Sequence, residues 1–306
     1  MGGYILRRLI GSLITLFLVI SIVFFLIRAV PGDPVRHIVG GQPVSQEVMQ
    51  NIRAFFGLDK PLLQQYLLFL TQVMRGDFGI SFVSRQPTIR VFLEQLPATI
   101  ELALGGFLVA VILGGILGTL AGLFPNTWLD TFLMFLALIG VSMPTFYSGI
   151  LLILIFSVWL RWIPILGGGI VGLILPSLAT GMWAAGNMAR LLRSAILEIT
   201  VEDYIRTARA KGLPDYAVVL RHTLRNALIP VVTLLGLQLA LFFGGAAITE
   251  TVFARPGIGS LLVNSVLYLD YPMVQLCLLF TTSTYTVLNF IVDLLYGLID
   301  PRIRYN

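Results

Sequence analysis

Residues 200–230 read TVEDYIRTARAKGLPDYAVVLRHTLRNALIP, a charged stretch between two long apolar runs. Seven residues between positions 202 and 221 are charged at neutral pH: Glu202, Asp203, Arg206, Arg209, Lys211, Asp215 and Arg221. The whole chain is 57% hydrophobic and 11% charged, whereas soluble domains carry about 25% charged residues. The sequence therefore predicts an all-α polytopic membrane protein, in which this stretch lies in water or against another protein between two spans.

The charged stretch itself predicts two short helices joined by a glycine turn. Thr200 followed by Asp203 fits a capping box, which predicts the start of a helix. Gly212 can adopt the left-handed conformation that closes a helix. We predict helices over residues 200–211 and 215–224, held on the membrane surface. On local pattern alone, an ordinary amphipathic loop explains the stretch equally well.

Six apolar runs are each long enough to cross the hydrocarbon core of a bilayer as a helix. Gly114, Gly118 and Gly122 recur at four-residue spacing in the second run, which allows another helix to approach closely. The third run is expected to break near Pro144. The predicted spans cover residues 9–30, 98–124, 129–160, 170–189, 227–249 and 272–298.

The lysines and arginines predict the orientation. Eleven of the twenty lie in the N-terminus, in residues 190–225 and in the tail after residue 299. The short loops of the opposite face contribute only Arg161 and Arg255. Basic residues concentrate in cytoplasmic loops, so both termini and the charged stretch are predicted to be cytoplasmic. The predicted domains are residues 1–30 (cytoplasmic N-terminus and first span), 31–97 (external) and 98–306 (five-helix core with a cytoplasmic loop at 200–226).

Motifs for catalysis are missing from the sequence. Neither of the two lysines, Lys60 and Lys211, stands in a phosphate-binding G-x-x-x-x-G-K-[ST] loop. The two histidines, His37 and His222, lie outside the predicted spans, and Cys277 is the one cysteine. We therefore predict a protein that is not an enzyme and has no metal site. The basic composition does not require a nucleic-acid partner to explain it, because basic residues concentrated on one side of a membrane give the same excess of positive charge. The few acidic residues at span borders form no ladder for a proton relay: Glu101, Asp130, Glu250 and Asp293.

Five motifs in order resemble the ABC-importer permeases of the dipeptide/oligopeptide/nickel family. Residues 203–212, DYIRTARAKG, look like the cytoplasmic coupling loop of these proteins, and PGDP at 31–34 looks like the element after their first span. The segments GLDKP at 57–61 and GDFG at 76–79 also match. An E-x-x-F-x-x-P-G-x-G element is formed by Glu250, Phe253, Pro256, Gly257 and Gly259.

The sequence departs from the general ABC-importer pattern within the coupling loop. Aligned on Gly212, the usual Glu-Ala-Ala positions read Arg206-Thr207-Ala208. The later I-x-L-P positions read HTLR at 222–225. This variation is similar to that of the peptide branch, so residue roles known for sugar or amino-acid permeases do not transfer.

The resemblance implies a type I ABC-importer permease with six transmembrane helices, placed in the inner membrane and working by alternating access. It implies two ATPase subunits, a second homologous permease, an external substrate-binding protein and surrounding lipid as partners. ATP and Mg²⁺ would be bound by the ATPase subunits, and no cofactor by this chain. The implied contacts with the ATPase are Glu202, Asp203, Tyr204, Arg206, Ala208, Arg209, Ala210, Lys211 and Gly212.

The expected substrate is a peptide, either a di- or oligopeptide or a glutathione-like compound. A nickel chelate is the alternative within the same family, and a self-contained channel or ion-coupled carrier is the alternative from another class. A carrier would be expected to carry internal repeats and charged mid-span residues, and neither is found in the sequence. Polar residues that could line the path, or equally well form bonds between helices, are Ser142, Thr145, Asn187, Gln238 and Asn289.

Overall fold

The computed structural model describes residues 2–29, 32–39, 44–164 and 167–299. Within these ranges the chain is helical apart from turns, loops and one isolated antiparallel bridge between Ile80 and Pro87. The predicted all-α class is confirmed. Pro31 of the PGDP element, and the tail with Arg302 and Arg304, lie outside the described residues.

The helices are numbered in chain order. Two stretches continue a preceding helix with π-helical geometry, Ile153–Trp159 after α7 and Val218–Leu224 after α10. The helices are α1 (Gly2–Ala29), α2 (Pro34–Ile38), α3 (Gln46–Phe55), α4 (Leu62–Met74), α5 (Thr88–Leu123), α6 (Trp128–Ser142), α7 (Thr145–Leu152), α8 (Gly169–Thr200), α9 (Asp203–Ala210), α10 (Asp215–Ala217), α11 (Arg225–Val252), α12 (Ile258–Leu267) and α13 (Tyr271–Ile299).

Five helical stretches of the described chain are long and apolar enough to cross a membrane. A further pair, α6 and the helix that starts with α7, bends by 110° at its break and brings the number to six if it counts as one span. The break confirms the prediction at Pro144. Met143 there is extended (φ −83°, ψ 125°), because the ring of a following proline disfavours the helical conformation.

The helix of the second span begins at Thr88 instead of the predicted residue 98, and it passes through Pro97. A proline removes one backbone hydrogen bond and usually ends or kinks a helix. The segment before it is nevertheless fixed by packing, since Phe92 is 2% exposed in a core cluster with Ile258 and Met273. Tertiary contacts therefore decide the start of α5.

The helix of the fourth span extends beyond the predicted span end at residue 189, because α8 continues to Thr200. One face of the helix stays buried beyond that point, where Leu192 and Ile196 pack with Ala227 and Val231. The hydroxyl of Thr200 donates to the backbone oxygen of Ile196 at 2.7 Å. It closes α8 and does not open the next helix.

The two short helices predicted in the charged stretch are therefore corrected. The first begins at Asp203, not at Thr200, and it ends at Ala210. The second is not a separate helix, because α10, the π-helical turn Val218–Leu224 and α11 follow one another without a break. The side chain of Val218 at the start of this run is fully buried, and it packs against Ile205 and Ala208 of α9.

The chain divides into two compact units by its contacts, Met1–Thr99 with Pro256–Thr286 and Ile100–Arg255 with Val287–Asn306. The first unit has a core around Phe82, Tyr271 and Val274. In the second unit α8 is central, and α6, α7 and α11 pack against it.

Glycines of α5 let it approach α8 closely within the second unit. A methyl group added at Gly118 would lie 2.7 Å from the backbone oxygen of Ala189, and one at Gly114 would lie 2.8 Å from that of Ala185. At Gly122 the added carbon would meet Ile196 at 2.9 Å. Such distances leave no room for a side chain, so the close helix approach predicted from the glycine spacing is confirmed.

Candidate functional site

The charged stretch forms a short amphipathic helix, α9, with an apolar underside. Ile205 is fully buried and Ala208 is 6% exposed, and both pack with Val218 and Ile199. The other side chains of α9 are exposed. The helix is thus seated by apolar contacts on neighbouring helices of its own unit, and a charged face is left open.

The open face carries all the residues that the sequence analysis assigned to coupling except Ala208. We call it the coupling surface, and its members are Glu202, Asp203, Tyr204, Arg206, Arg209, Ala210, Lys211 and Gly212. Its internal ion pair is weak, since Arg206 Nη1 lies 3.8 Å from Asp203 Oδ1 and both side chains are exposed. These charged groups therefore remain available to a partner.

Gly212 closes α9 in the geometry of a Schellman motif. Its φ is +76°, a region that non-glycine residues rarely occupy. Its N–H donates to the Arg209 oxygen at 2.9 Å, and the N–H of Leu213 donates to the Ala208 oxygen at 3.4 Å. The predicted glycine turn is confirmed, and it sets the direction in which the chain leaves α9.

A side-chain hydrogen bond ties the coupling surface to α11. The amide nitrogen of Asn226 donates to the hydroxyl oxygen of Tyr204 at 3.0 Å and to the backbone oxygen of His222, also at 3.0 Å. Tyr204 is 43% exposed, so its ring stays available on the surface. A displacement of α9 would strain this bond and the start of α11 together.

An ion pair between a buried carboxylate and a partly exposed arginine fixes the helix that leads into the coupling surface. Nε and Nη2 of Arg193 on α8 donate to the two carboxylate oxygens of Asp130 on α6, at 2.6 and 2.7 Å. Asp130 is 4% exposed and also accepts from the backbone N–H of Asn126 at 3.0 Å. Sequence reasoning noted Asp130 at a span border but missed its pairing with Arg193. The two residues are 63 positions apart, and no local pattern joins them.

The E-x-x-F-x-x-P-G-x-G element divides between the two units. In the second unit Glu250 is fully buried and Phe253 is 6% exposed, packed against Leu175 and Ala179. The following Arg255 pairs with Glu101 at 2.5 Å.

In the first unit, the element continues with an exposed Pro256, a buried Gly257 and a half-buried Gly259. The backbone N–H of Ile258 donates to the hydroxyl of Thr99 at 2.8 Å.

A further buried carboxylate, Asp270, was missed by the sequence analysis. It accepts from the hydroxyl of Ser81 at 2.5 Å and from the N–H of Phe82 at 3.1 Å. It also caps α13, because the N–H of Met273 points to it at 3.4 Å. Asp270 therefore joins the loop before α5 to the first turn of the last span, within the first unit.

The proposed path residues lie in the second unit in different surroundings. Ser142 and Thr145 flank the break between α6 and α7. Asn187 is bonded within its own helix, to the Trp183 oxygen and to Arg190. Gln238 is 2% exposed, and neither its amide nitrogen nor its oxygen has a partner among the described residues. The side-chain oxygen of Asn289 is likewise buried without such a partner.

Two known protein families together match nearly the whole chain. Residues 110–305 match the family "Binding-protein-dependent transport system inner membrane component". Residues 1–103 match the N-terminal family of binding-protein-dependent transport system membrane components.

Curated relatives share the full length of the chain. The "Glutathione transport system permease protein GsiC" of Escherichia coli strain K12 is 42% identical over 306 residues, which is 100% of both chains. The protein of the same name in Salmonella paratyphi A is also 42% identical, and that of Shigella flexneri is 41% identical, over the same share.

Among solved structures, an amino acid ABC transporter crystallised with histidines has a TM-score of 0.50. It is 16% identical and covers 70% of this chain and 94% of its own. At this identity the likeness concerns the fold alone, and it confirms the predicted type I importer architecture.

Proposed function

Because the chain belongs to the family of inner-membrane components of binding-protein-dependent transport systems, we propose that it carries glutathione or short peptides into the cell as the permease subunit of an ATP-driven importer. The observation that supports this substrate class is the 42% identity over the full length to a glutathione transport permease. Membership of the ABC-importer permeases, predicted from the motifs, is confirmed. A self-contained channel or carrier does not agree with this family.

The partners that we propose are two ATPase subunits, a second homologous permease and an external binding protein. ATP and Mg²⁺ would be held by the ATPase subunits, since the sequence of this chain contains no phosphate-binding loop. Energy must then arrive through a surface contact. The chain would act by alternating access, without a catalytic residue of its own.

The coupling surface is the contact that we propose for the ATPase. The apolar underside of α9, with Ile205 fully buried, would let the helix move as one body with α8 and α11. The exposed charges Arg206, Arg209 and Lys211 suit an acidic groove, and Glu202 and Asp203 suit basic residues at its edge. A push on α9 would then reach the spans through rigid helices.

The orientation that we propose places both termini and the coupling surface in the cytoplasm. The 31–97 segment and the loop around Pro256–Gly259 would lie outside, where they would contact the binding protein or the second permease. The excess of lysine and arginine on the predicted cytoplasmic side supports this orientation.

We expect cysteine labelling to establish the orientation. In a Cys277→Ala background, a cysteine at position 57 should react with a membrane-impermeant maleimide added to intact cells. A cysteine at position 304 should react only after the membrane is opened. Labelling of position 304 from outside, with none at position 57, would show that the orientation is the reverse of the one proposed.

For the translocation path, Gln238 and Asn289 are the best candidates among the five polar residues. Both have buried amide atoms without a partner in the described chain, and a buried amide that lacks its hydrogen bonds is costly. A passing peptide could supply those bonds through its own backbone. Ser142, Thr145 and Asn187 would then have smaller roles in the path.

Reconstitution of the complete transporter tests the substrate. Proteoliposomes should take up labelled glutathione or a labelled dipeptide only when ATP and the binding protein are both present. Uptake of a nickel chelate alone would contradict the peptide substrate while leaving the permease role intact. Equal uptake without ATP would contradict the permease role itself.

A further inference from the structure

A cavity of about 610 Å³ opens in the first unit. It is bounded by the end of α1, the turn from α3 to α4, α4 itself, the loop before α5 and the first turn of α13. Nothing in the transport role proposed above uses this space. Its lining combines a partly buried cation with aromatic and aliphatic walls.

The cation is Arg28, one residue before the end of α1. Its guanidinium carbon lies 3.6 Å from the ring centre of Phe24 and 5.3 Å from that of Tyr271. Nε donates to the side-chain oxygen of Gln65 at 3.0 Å, and Nη1 donates to the Phe24 backbone oxygen at 3.2 Å. No carboxylate of the described residues pairs with Arg28, so its charge is not compensated by this part of the chain. A partly buried cation favours a bound anion at such a place.

Besides Arg28, the lining contains a hydrogen-bond donor that lacks an acceptor in the described chain. Gln275 is 7% exposed, and its amide nitrogen has no partner among the described residues. Lys60 adds another positive charge to the lining. The carboxylate found among the described lining residues, Asp77, already accepts from the N–H of Gly79 at 2.9 Å. Two cations against one carboxylate leave the lining with an excess of positive charge.

The position of the cavity along the spans points to the bilayer interface. Arg28 is in the last turn of the first span, and Tyr271 and Gln275 are in the first turns of the last span. The neighbouring helix α4 has 13 residues without a charge, which is too short to cross a bilayer but suits its interface. Leu68 on it lines the cavity and is 43% exposed.

We propose that this cavity binds the phosphate headgroup of an anionic phospholipid. Arg28 and the amide nitrogen of Gln275 donate to the phosphate oxygens, and Lys60 contributes charge at the rim. The acyl chains run along Leu68 and Phe69 of α4, which line the cavity. The bound lipid would compensate the charge of Arg28 and hold α1, α4 and α13 together at the membrane surface.

Native mass spectrometry of the purified transporter complex tests the proposal. Phosphatidylglycerol should be retained at lower concentration than phosphatidylcholine. Arg28→Gln should weaken its retention by about tenfold or more, since a hydrogen bond to a charged group is lost. Arg75→Gln is the matched control, because Arg75 is an exposed arginine of the same unit outside the cavity. It removes the same charge and should leave retention unchanged.

A second variant and a competition experiment complete the test. If Arg28→Gln does not fold, Gln275→Leu removes the second donor and should also weaken phosphatidylglycerol retention relative to Arg75→Gln. Glycerol phosphate, the free headgroup, should not displace the lipid at equal concentration. Equal retention in Gln275→Leu and Arg75→Gln, or displacement by glycerol phosphate, would overturn the lipid site.

Discussion

Replacing Gly118 with alanine should lower the stability of the purified protein in detergent. The added methyl group would lie 2.7 Å from the backbone oxygen of Ala189 and 2.9 Å from the Cβ of Leu192. A backbone atom cannot swing aside as the end of a side chain can, so α5 and α8 must separate. We expect the overpacking to cost roughly 1–3 kcal/mol, seen as a lower melting temperature.

Gly115→Ala provides the matched control. Gly115 lies on the same helix, but its added methyl group would meet only the terminal carbon of Met188, at 3.8 Å, which is ordinary contact. Alanine also has the better helix propensity, by up to about 1 kcal/mol. The melting temperature of this variant should therefore stay the same or rise. If the two variants had the same melting temperature, the close approach of α5 to α8 would not be a source of stability for the protein.

The loss of transport in Gly212→Val is the second large effect that we expect. No heavy atom lies within 4 Å of a Cβ built at this residue, so crowding plays no part. The obstacle is the φ of +76°, which strains a β-branched residue by about 1–3 kcal/mol. The turn must rearrange, and α9 then presents the coupling surface at a different angle.

Comparing two substitutions at this site separates backbone strain from mere loss of glycine. Asparagine enters the left-handed region at low cost, so Gly212→Asn should keep most of the transport. Gly212→Val should insert normally but lose transport by about fivefold or more, since a strain of about 1 kcal/mol already corresponds to a factor of about five. Import and ATP turnover are measured together in proteoliposomes. Unchanged import per ATP in Gly212→Val would contradict a mechanical role for the turn.

In the proposed coupling mechanism, the ion pair between Asp130 and Arg193 would help α8 to transmit such a movement. It holds α8 to the first turn of α6, on the part of α8 that leads into α9. Removing Arg193 would leave the carboxylate of Asp130, which is 4% exposed, buried without its cation, and we expect this change to be destabilising. In that mechanism the pair would act as a fixed point beside α9.

Several features of the protein follow from the sequence alone. Long apolar runs predict membrane spans because the bilayer core offers no partner for a free backbone. The turn at Gly212 and the break at Pro144 follow from backbone preferences of single residues. The coupling residues form a contiguous segment, and the resemblance to the permease family singled them out as a group. Their roles in transport stay predictions.

Tertiary structure alone decided where the helices end and which distant groups meet. Thr200 fits a helix start by pattern, yet α8 continues to it because the burial of Leu192 and Ile196 outweighs a local capping signal. Arg193 meets Asp130 across 63 positions, and Ser81 meets Asp270 across 189. Backbone preferences and capping patterns involve only a few neighbouring residues, whereas these contacts depend on how whole helices pack.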